Sequence, residues 1–335
     1  CEVSPEGTPI DPQRFDDVDL QEREASYGKS GFALQYMLDT SLSDVGRYPL
    51  KLADLIVHPL DKEVASPKLT WASSPELVWK DLESVGLGAD RYYRPMEVAK
   101  DHQPYSGAVM SIDPAGMGKD ETAYAVVKIL NGQLFLTESG GFLGGYTPPT
   151  LKQLGKIAKD HGVKEIVVES NFGDGMFTQL LKPTLAEDVG YPVTIEEVKH
   201  SIQKERRIID TLEPILNSHR LIVDPKVILS DLGCLRSDYG RGRIDSEPRS
   251  SLVGNNQLYS LFYQLSRLTF DKGALRHDDR LDALSIAVGY WVEHMEKHID
   301  TGVRQYYEDL RDKELDRFME SHNKLWGKTE STTWM

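Results

Sequence analysis

The sequence predicts a mixed α/β sheet, three antiparallel strands followed by parallel ones, flanked by helices. Apolar, β-branched runs of strand length are joined first by an Asn-Gly turn and then by helix-length amphipathic stretches. Two of those runs end on acids. Asp113 closes Ala108-Val109-Met110-Ser111-Ile112, and Glu169 closes Glu165-Ile166-Val167-Val168.

Taken in order, the stretch to about Tyr105 is acidic and mixed, with an amphipathic segment from Asp19 to Leu38 and proline breaks after it. It reads as an accessory region, 1–104, in which Phe32, Leu34, Tyr36 and Met37 supply packing. From Tyr105 the pattern changes to strands Ala108–Ile112, Thr122–Leu130 and Gln133–Thr137, with Asn131-Gly132 between the last two as a hairpin signal. Helices over Pro149–His161, Met176–Glu187 and Ile202–Asn217 then alternate with strands Glu165–Val168 and Val193–Val198. The stretch Asp238–Asn256 is polar and rich in Gly and Arg, a long loop or hairpin of the kind that often carries function. Leu281, Leu284, Val288 and Trp291 recur at helical spacing in Asp279–His294, so one face of that helix turns toward the sheet. The core is expected over 105–299, and 300–335 is an interleaved charged tail, a solvated helix by default.

Composition sets bounds. The 335 residues, 39% hydrophobic, suffice for one large domain with appendages, and no segment approaches membrane-spanning length. Cys1 and Cys234 give neither a disulfide framework nor metal-ligand spacing, which fits a reducing compartment. The opening Cys1 is followed by no secretory leader, and the chain reads as a fragment. A net charge of −14 opposes a nucleic-acid partner on average. Basic residues nevertheless gather at Lys199, Lys204, Arg206 and Arg207 and again at Arg236, Arg241, Arg243 and Arg249, so one groove can still be positive.

The acids define the chemistry. A carboxylate at a strand end can face solvent or a cation, whereas in mid-core it would cost several kcal/mol unless paired. Cleavage of a phosphodiester by two divalent ions about 3.5–4 Å apart needs carboxylates converging from separate elements. The third source is the start of the late helix, where Asp278, Asp279 and Asp282 crowd one turn. A helix dipole and a cap explain one acid there, not three. Like charges in that register repel by a few tenths of a kcal/mol, and a cation relieves them. Mg2+ or Mn2+, two ions with oxygen donors, is the expected cofactor. Asp120 is either a further acid near the site or a solvated turn residue. His277 reads as a cap or packed residue rather than a proton carrier and stays outside the catalytic set.

The strings HDDRLDAL, SIDPAGMGKDET and IVVESNFGDG resemble the nuclease domain of tailed-phage terminase large subunits, of the podovirus type, with the ribonuclease-H-like fold. The resemblance covers about Tyr105 to His298, and TPIDPQRF through GFALQYMLDTSLSD is similar to the end of the terminase ATPase domain. It implies an endonuclease that cuts concatemeric double-stranded viral DNA at the start and end of packaging, joined in the full protein to an ATP-driven translocase. It implies catalytic and metal-binding roles for Asp113, Glu169 and Asp279, with Asp278 and Asp282 competing for the third ligand position. Lys204, Arg206, Arg241 and Arg243 are the expected DNA contacts. The implied partners are the portal protein, the small terminase subunit, the ATPase domain of the full-length protein and further copies of the chain in the motor. There is no membrane partner, and the implied place is the host cytoplasm, docked transiently on the procapsid. A P-loop is not found: Gly118-Lys119 is followed by Asp120, and position 113, where the first glycine would stand, is Asp.

Two other classes fit parts of this pattern. A resolvase- or transposase-type enzyme would share fold and metals, but the ATPase-like N-terminal stretch disfavours it. A non-catalytic packaging scaffold would tolerate loss of the carboxylates. A dehydrogenase-type nucleotide fold is disfavoured because no GxGxxG follows the first strand and a hairpin stands where a helix is needed.

Overall fold

The computed structural model describes residues 47–116, 120–170, 175–236 and 256–295, with the short pieces 14–16, 18–20 and 22–23 and residue 36. Most of the amphipathic segment 19–38, the polar stretch 238–255 and the charged tail lie outside the described residues.

Five two-residue strands come first: β1 (Ile56–Val57), β2 (Val64–Ala65), β3 (Leu69–Thr70), β4 (Glu97–Val98) and β5 (Gln103–Pro104). β2 pairs with β5 and β3 with β4 in small antiparallel ladders. The three long strands follow as β6 (Gly107–Asp113), β7 (Glu121–Leu130) and β8 (Gln133–Leu143). They pair antiparallel, β6 with β7 and β7 with β8. The turn between β7 and β8 places Asn131 at φ 49° and Gly132 at φ 77°, the left-handed conformations a tight hairpin needs and these residues tolerate. β8 runs on past Thr137, where the alternating pattern stops. Ser139, Gly140 and Gly141 have little intrinsic strand preference, but β7 holds them in register as far as Glu121 opposite Leu143, across a bulge at Val126/Val127.

Alternation then takes over. Helix α1 (Pro148–Asp160), β9 (Glu165–Glu169), α2 (Met176–Asp188), β10 (Thr194–Val198), α3 (Lys204–Asn217), β11 (Leu221–Val223) and α4 (Pro225–Arg236) follow, then a short α5 (Leu261–Arg267). Helix α6 begins at 279 and is described to 295. The seven-stranded sheet has the order β1-β11-β8-β7-β6-β9-β10, with β9, β10, β11 and β1 added in parallel pairings. The fold is the expected mixed α/β one. β1, from the stretch before Tyr105, forms one edge of this sheet.

Strand parity sorts the two faces. Met110 and Ile112 of β6 and Ile166 and Val168 of β9 are buried with Leu151, Leu154 and Ala158 of α1 and Phe177, Leu181 and Leu185 of α2. Val109, Ser111 and Val167 point to the other face and are equally buried. There Ser111 donates its hydroxyl to the carbonyl of Ala283, which ties β6 to α6. Burial of each large aliphatic side chain contributes roughly 1.5–3 kcal/mol, so both layers hold the sheet rigid under the acids that end β6 and β9. Residues 47–289 belong to one compact unit; of the second, beginning at Tyr290, the described residues 290–295 are helical.

Candidate active site

Parallel pairing of β6 with β9 puts Ile112 opposite Val168, so the next residue of each strand, Asp113 and Glu169, leaves the sheet side by side. Both share the parity of Ser111 and Val167 and therefore project on the α6 face. The first turn of α6 supplies the third acid. Carboxylate oxygens of Asp113, Glu169 and Asp282 lie within 4.8 Å of one another. Asp279 belongs to a different group, with Asp120 and His277. Asp278 faces Lys204.

Two cations from α3 sit among these acids. Lys204 and Arg207 are three apart and share a face. Lys204 Nζ is 2.8 Å from Asp278, 2.9 Å from Asp282 and 3.6 Å from Asp113. Arg207 donates to Asp282 at 2.6 Å and lies 3.7 Å from Glu169. Asp282 is fully buried, and Ser285 also donates to its Oδ1. Arg206, on the exposed side of α3, is 3.6 Å from Asp210. Arg241 and Arg243 lie outside the described residues.

The electrostatics follow from this crowding. Burial pushes the Asp113 carboxyl well above the usual carboxylate range; Lys204 opposes the shift, and Asp282, Glu169 and Asp279 add to it. Glu169 is raised by burial and by Asp282, with Arg207 and Lys204 opposing. Burial lifts Asp279 to about 7, reinforced by Asp278, Glu121 and Asp120. Burial works against the charge of Lys204, but Asp282, Asp113 and Asp278 outweigh it and hold the ammonium protonated. Carboxyls that resist ionisation together gain most from a divalent cation, which restores the charge balance.

A buried network positions the first turn of α6. Arg280, between Asp279 and Asp282, donates from Nε to Glu121 at 2.6 Å, from Nη2 to the same carboxylate at 3.1 Å, and from Nη1 to Asp231 at 3.1 Å. Asp231 also accepts from Ser260 and from the backbone N–H of Leu261. The amide N–H of Leu281 donates to Gln264 of α5. Sequence reasoning placed Arg207 in a basic cluster that could line a positive groove, not among the acids, and missed Arg280 with its partners. A signal was present: Arg207 stands four residues before Thr211, at the border of the apolar face that Ile208, Leu212 and Ile215 form on α3.

Residues 112–221 match the family described as the ribonuclease-H-like domain of the bacteriophage T7 terminase. Over 291 residues the chain is 43% identical to the terminase large subunit of Enterobacteria phage T3, covering 87% of this chain. This chain carries the ribonuclease-H-like domain of a terminase large subunit. It spans 47% of the T3 protein's length. Among solved structures, the terminase chain is similar to the human cytomegalovirus terminase nuclease domain, manganese-soaked and inhibitor-bound, at 12% identity and TM-score 0.36, covering 55% of this chain and 82% of that one. It is similar also to the large terminase nuclease of thermophilic phage G20c, at 13% identity and TM-score 0.35, covering 72% and 98% respectively.

Proposed function

We propose that this terminase domain is a divalent-metal-dependent DNA endonuclease that cuts concatemeric viral DNA at initiation and termination of packaging. The observation that carries the reading is the convergence of Asp113, Glu169 and Asp282 from two parallel strand ends and a helix start, in a chain of the terminase family. Asp113 and Glu169 would hold metal, with the third carboxylate drawn from Asp282, Asp279 and Asp278; the oxygen-only donors fit Mg2+ or Mn2+. Bound there, two such ions would lower the pKa of an attacking water and stabilise the departing 3′ oxygen. The chain's own groups do the rest. Lys204 and Arg207 balance the acids, and Arg206, Arg241 and Arg243 place the phosphate by charge without reading base sequence. No side-chain nucleophile is needed.

In the full protein this activity would be coupled to an ATP-driven translocase, whose last part is read in residues 1–104, with the nuclease over 105–299 and a tail over 300–335. Portal protein, small terminase subunit and further copies of the chain are the expected partners at a procapsid in the host cytoplasm. Among the described residues no helix is long and apolar enough to cross a membrane.

Plasmid cleavage tests the reading. Supercoiled DNA is expected to be nicked and linearised with Mg2+ or Mn2+ and left intact with chelator. Asp113→Asn and Glu169→Gln, with circular dichroism unchanged, should cut at least about 100-fold more slowly. Cutting that persists in either folded variant would sink the assignment.

A further inference from the structure

We infer that Asp120, His277 and Asp279 form a second cation site, distinct from the three-carboxylate group and selective for a transition-metal ion of the Mn2+, Co2+ or Zn2+ kind over Mg2+. One ligand atom of each lies within 4.8 Å of the others. His277 Nδ1 is 3.2 Å from Asp120 Oδ1 and 3.9 Å from Asp279 Oδ2. Donor atoms around an ion with bonds of about 2.1 Å stand roughly 3.0–3.4 Å apart when adjacent, so little closure is required.

A second observation points the same way. His277 has a side chain only 10% exposed, and its Nδ1, aimed at the two carboxylates, is buried with no hydrogen-bond partner. Asp279 Oδ2 is in the same condition. Buried polar atoms without partners are costly, and here two of them face one another across a gap of ion size. The imidazole is fixed in that direction by Tyr259, whose ring stacks on it at 4.8 Å and 24°. Asp120, with its side chain 67% exposed, leaves the site open to solvent on one side. The imidazole nitrogen sets the selectivity: it suits Mn2+, Co2+ and Zn2+, whereas Mg2+ favours oxygen and keeps its waters.

The site shares Asp279 with the acids of the proposed nuclease and otherwise stands on its own geometry. Its test is therefore direct binding. Mn2+ is titrated into the chain and free ion followed by electron paramagnetic resonance, for the parent and for His277→Ala and Asp113→Asn. His277→Ala should lose about one bound ion per chain, or bind it at least 10-fold more weakly, while Asp113→Asn keeps it; tenfold Mg2+ should not displace it. Spin-echo modulation of the bound Mn2+ in the parent should show a coupled nitrogen, absent in His277→Ala. If that variant fails to fold, the parent spectrum decides alone: no coupled nitrogen overturns the site, as does unchanged binding in folded His277→Ala. Loss of plasmid cutting plays no part in this outcome, so the two readings fail separately.

Discussion

At the scale of single residues, the centre is held by opposed charges in a small buried space, and their balance makes stability sensitive to pH. Asp279 is lifted to about 7 in the folded chain. A carboxyl whose folded pKa is raised binds its proton more tightly when folded, so it favours folding least where both states are ionised. Its contribution should therefore fall as pH rises from about 4 to 7 and level off above. Urea unfolding in chelator is expected to show Asp279→Asn gaining on the parent by ~1 kcal/mol per pH unit across that window. A difference independent of pH would refute the environment described for Asp279. Arg280 gives the converse case, since Arg280→Met removes the guanidinium that the buried carboxylates of Glu121 and Asp231 share. A loss of about 3–5 kcal/mol in the same unfolding assay is expected. Asp113 and Glu169 were legible from sequence because strand ends can be read from β-branched runs. The division of Asp279 from Asp282 was not, because helical spacing says which acids share a face and not what that face meets. Lys204, expected on phosphate, stands among the acids because the first turn of α3 packs against the start of α6 rather than toward solvent.

Elements add a demand of their own, made by β8 on β7. A Cβ built on Gly141 would clash with the Glu121 carboxyl group, the same carboxylate that holds Arg280. Gly141→Ala must therefore push Glu121 aside, break its bidentate pair and unseat the first turn of α6. A destabilisation of about 2 kcal/mol or more is expected by urea unfolding, against a few tenths for a solvent-facing glycine. Near-normal stability would mean that Glu121 has room to move. The long strands and α1 to α3 could be read from their periodicity, and Asn131-Gly132 from its turn chemistry. β1, β11, α4 and α5 could not. Two- and three-residue strands such as Ile56–Val57 and Leu221–Val223 contain too few residues to show a period and exist because a neighbouring strand offers them hydrogen bonds. α4 has a weaker amphipathic pattern, since Asp231 on it is buried as the partner of Arg280 rather than exposed.

For the molecule as a whole, crowding of acids at the ends of two central strands makes the folded state a better ligand for divalent cations than the unfolded chain. A ligand at 100 times its dissociation constant stabilises by about 2.7 kcal/mol, so Mn2+ at saturating concentration should raise the thermal midpoint by several degrees. Asp113→Asn should lose part of that rise. An equal rise in both would place the ion elsewhere.

The sheet order also dictates when the fold can close. β8 waits for β11, made some eighty residues later, and β1, the first strand of this sheet to be synthesised, has no place until β11 has docked. Until then the outer edge of β8, with Leu134 and Leu136, has unpaired backbone and apolar side chains. A nascent chain halted before Leu221 would therefore hold the acid-bearing strands β6 and β9 already paired, beside an open edge prone to association. The strands that end on Asp113 and Glu169 pair early, whereas Asp282 arrives only with α6, after β11, and the β11–β1 side, last to be sealed, sets how long the growing protein stays vulnerable.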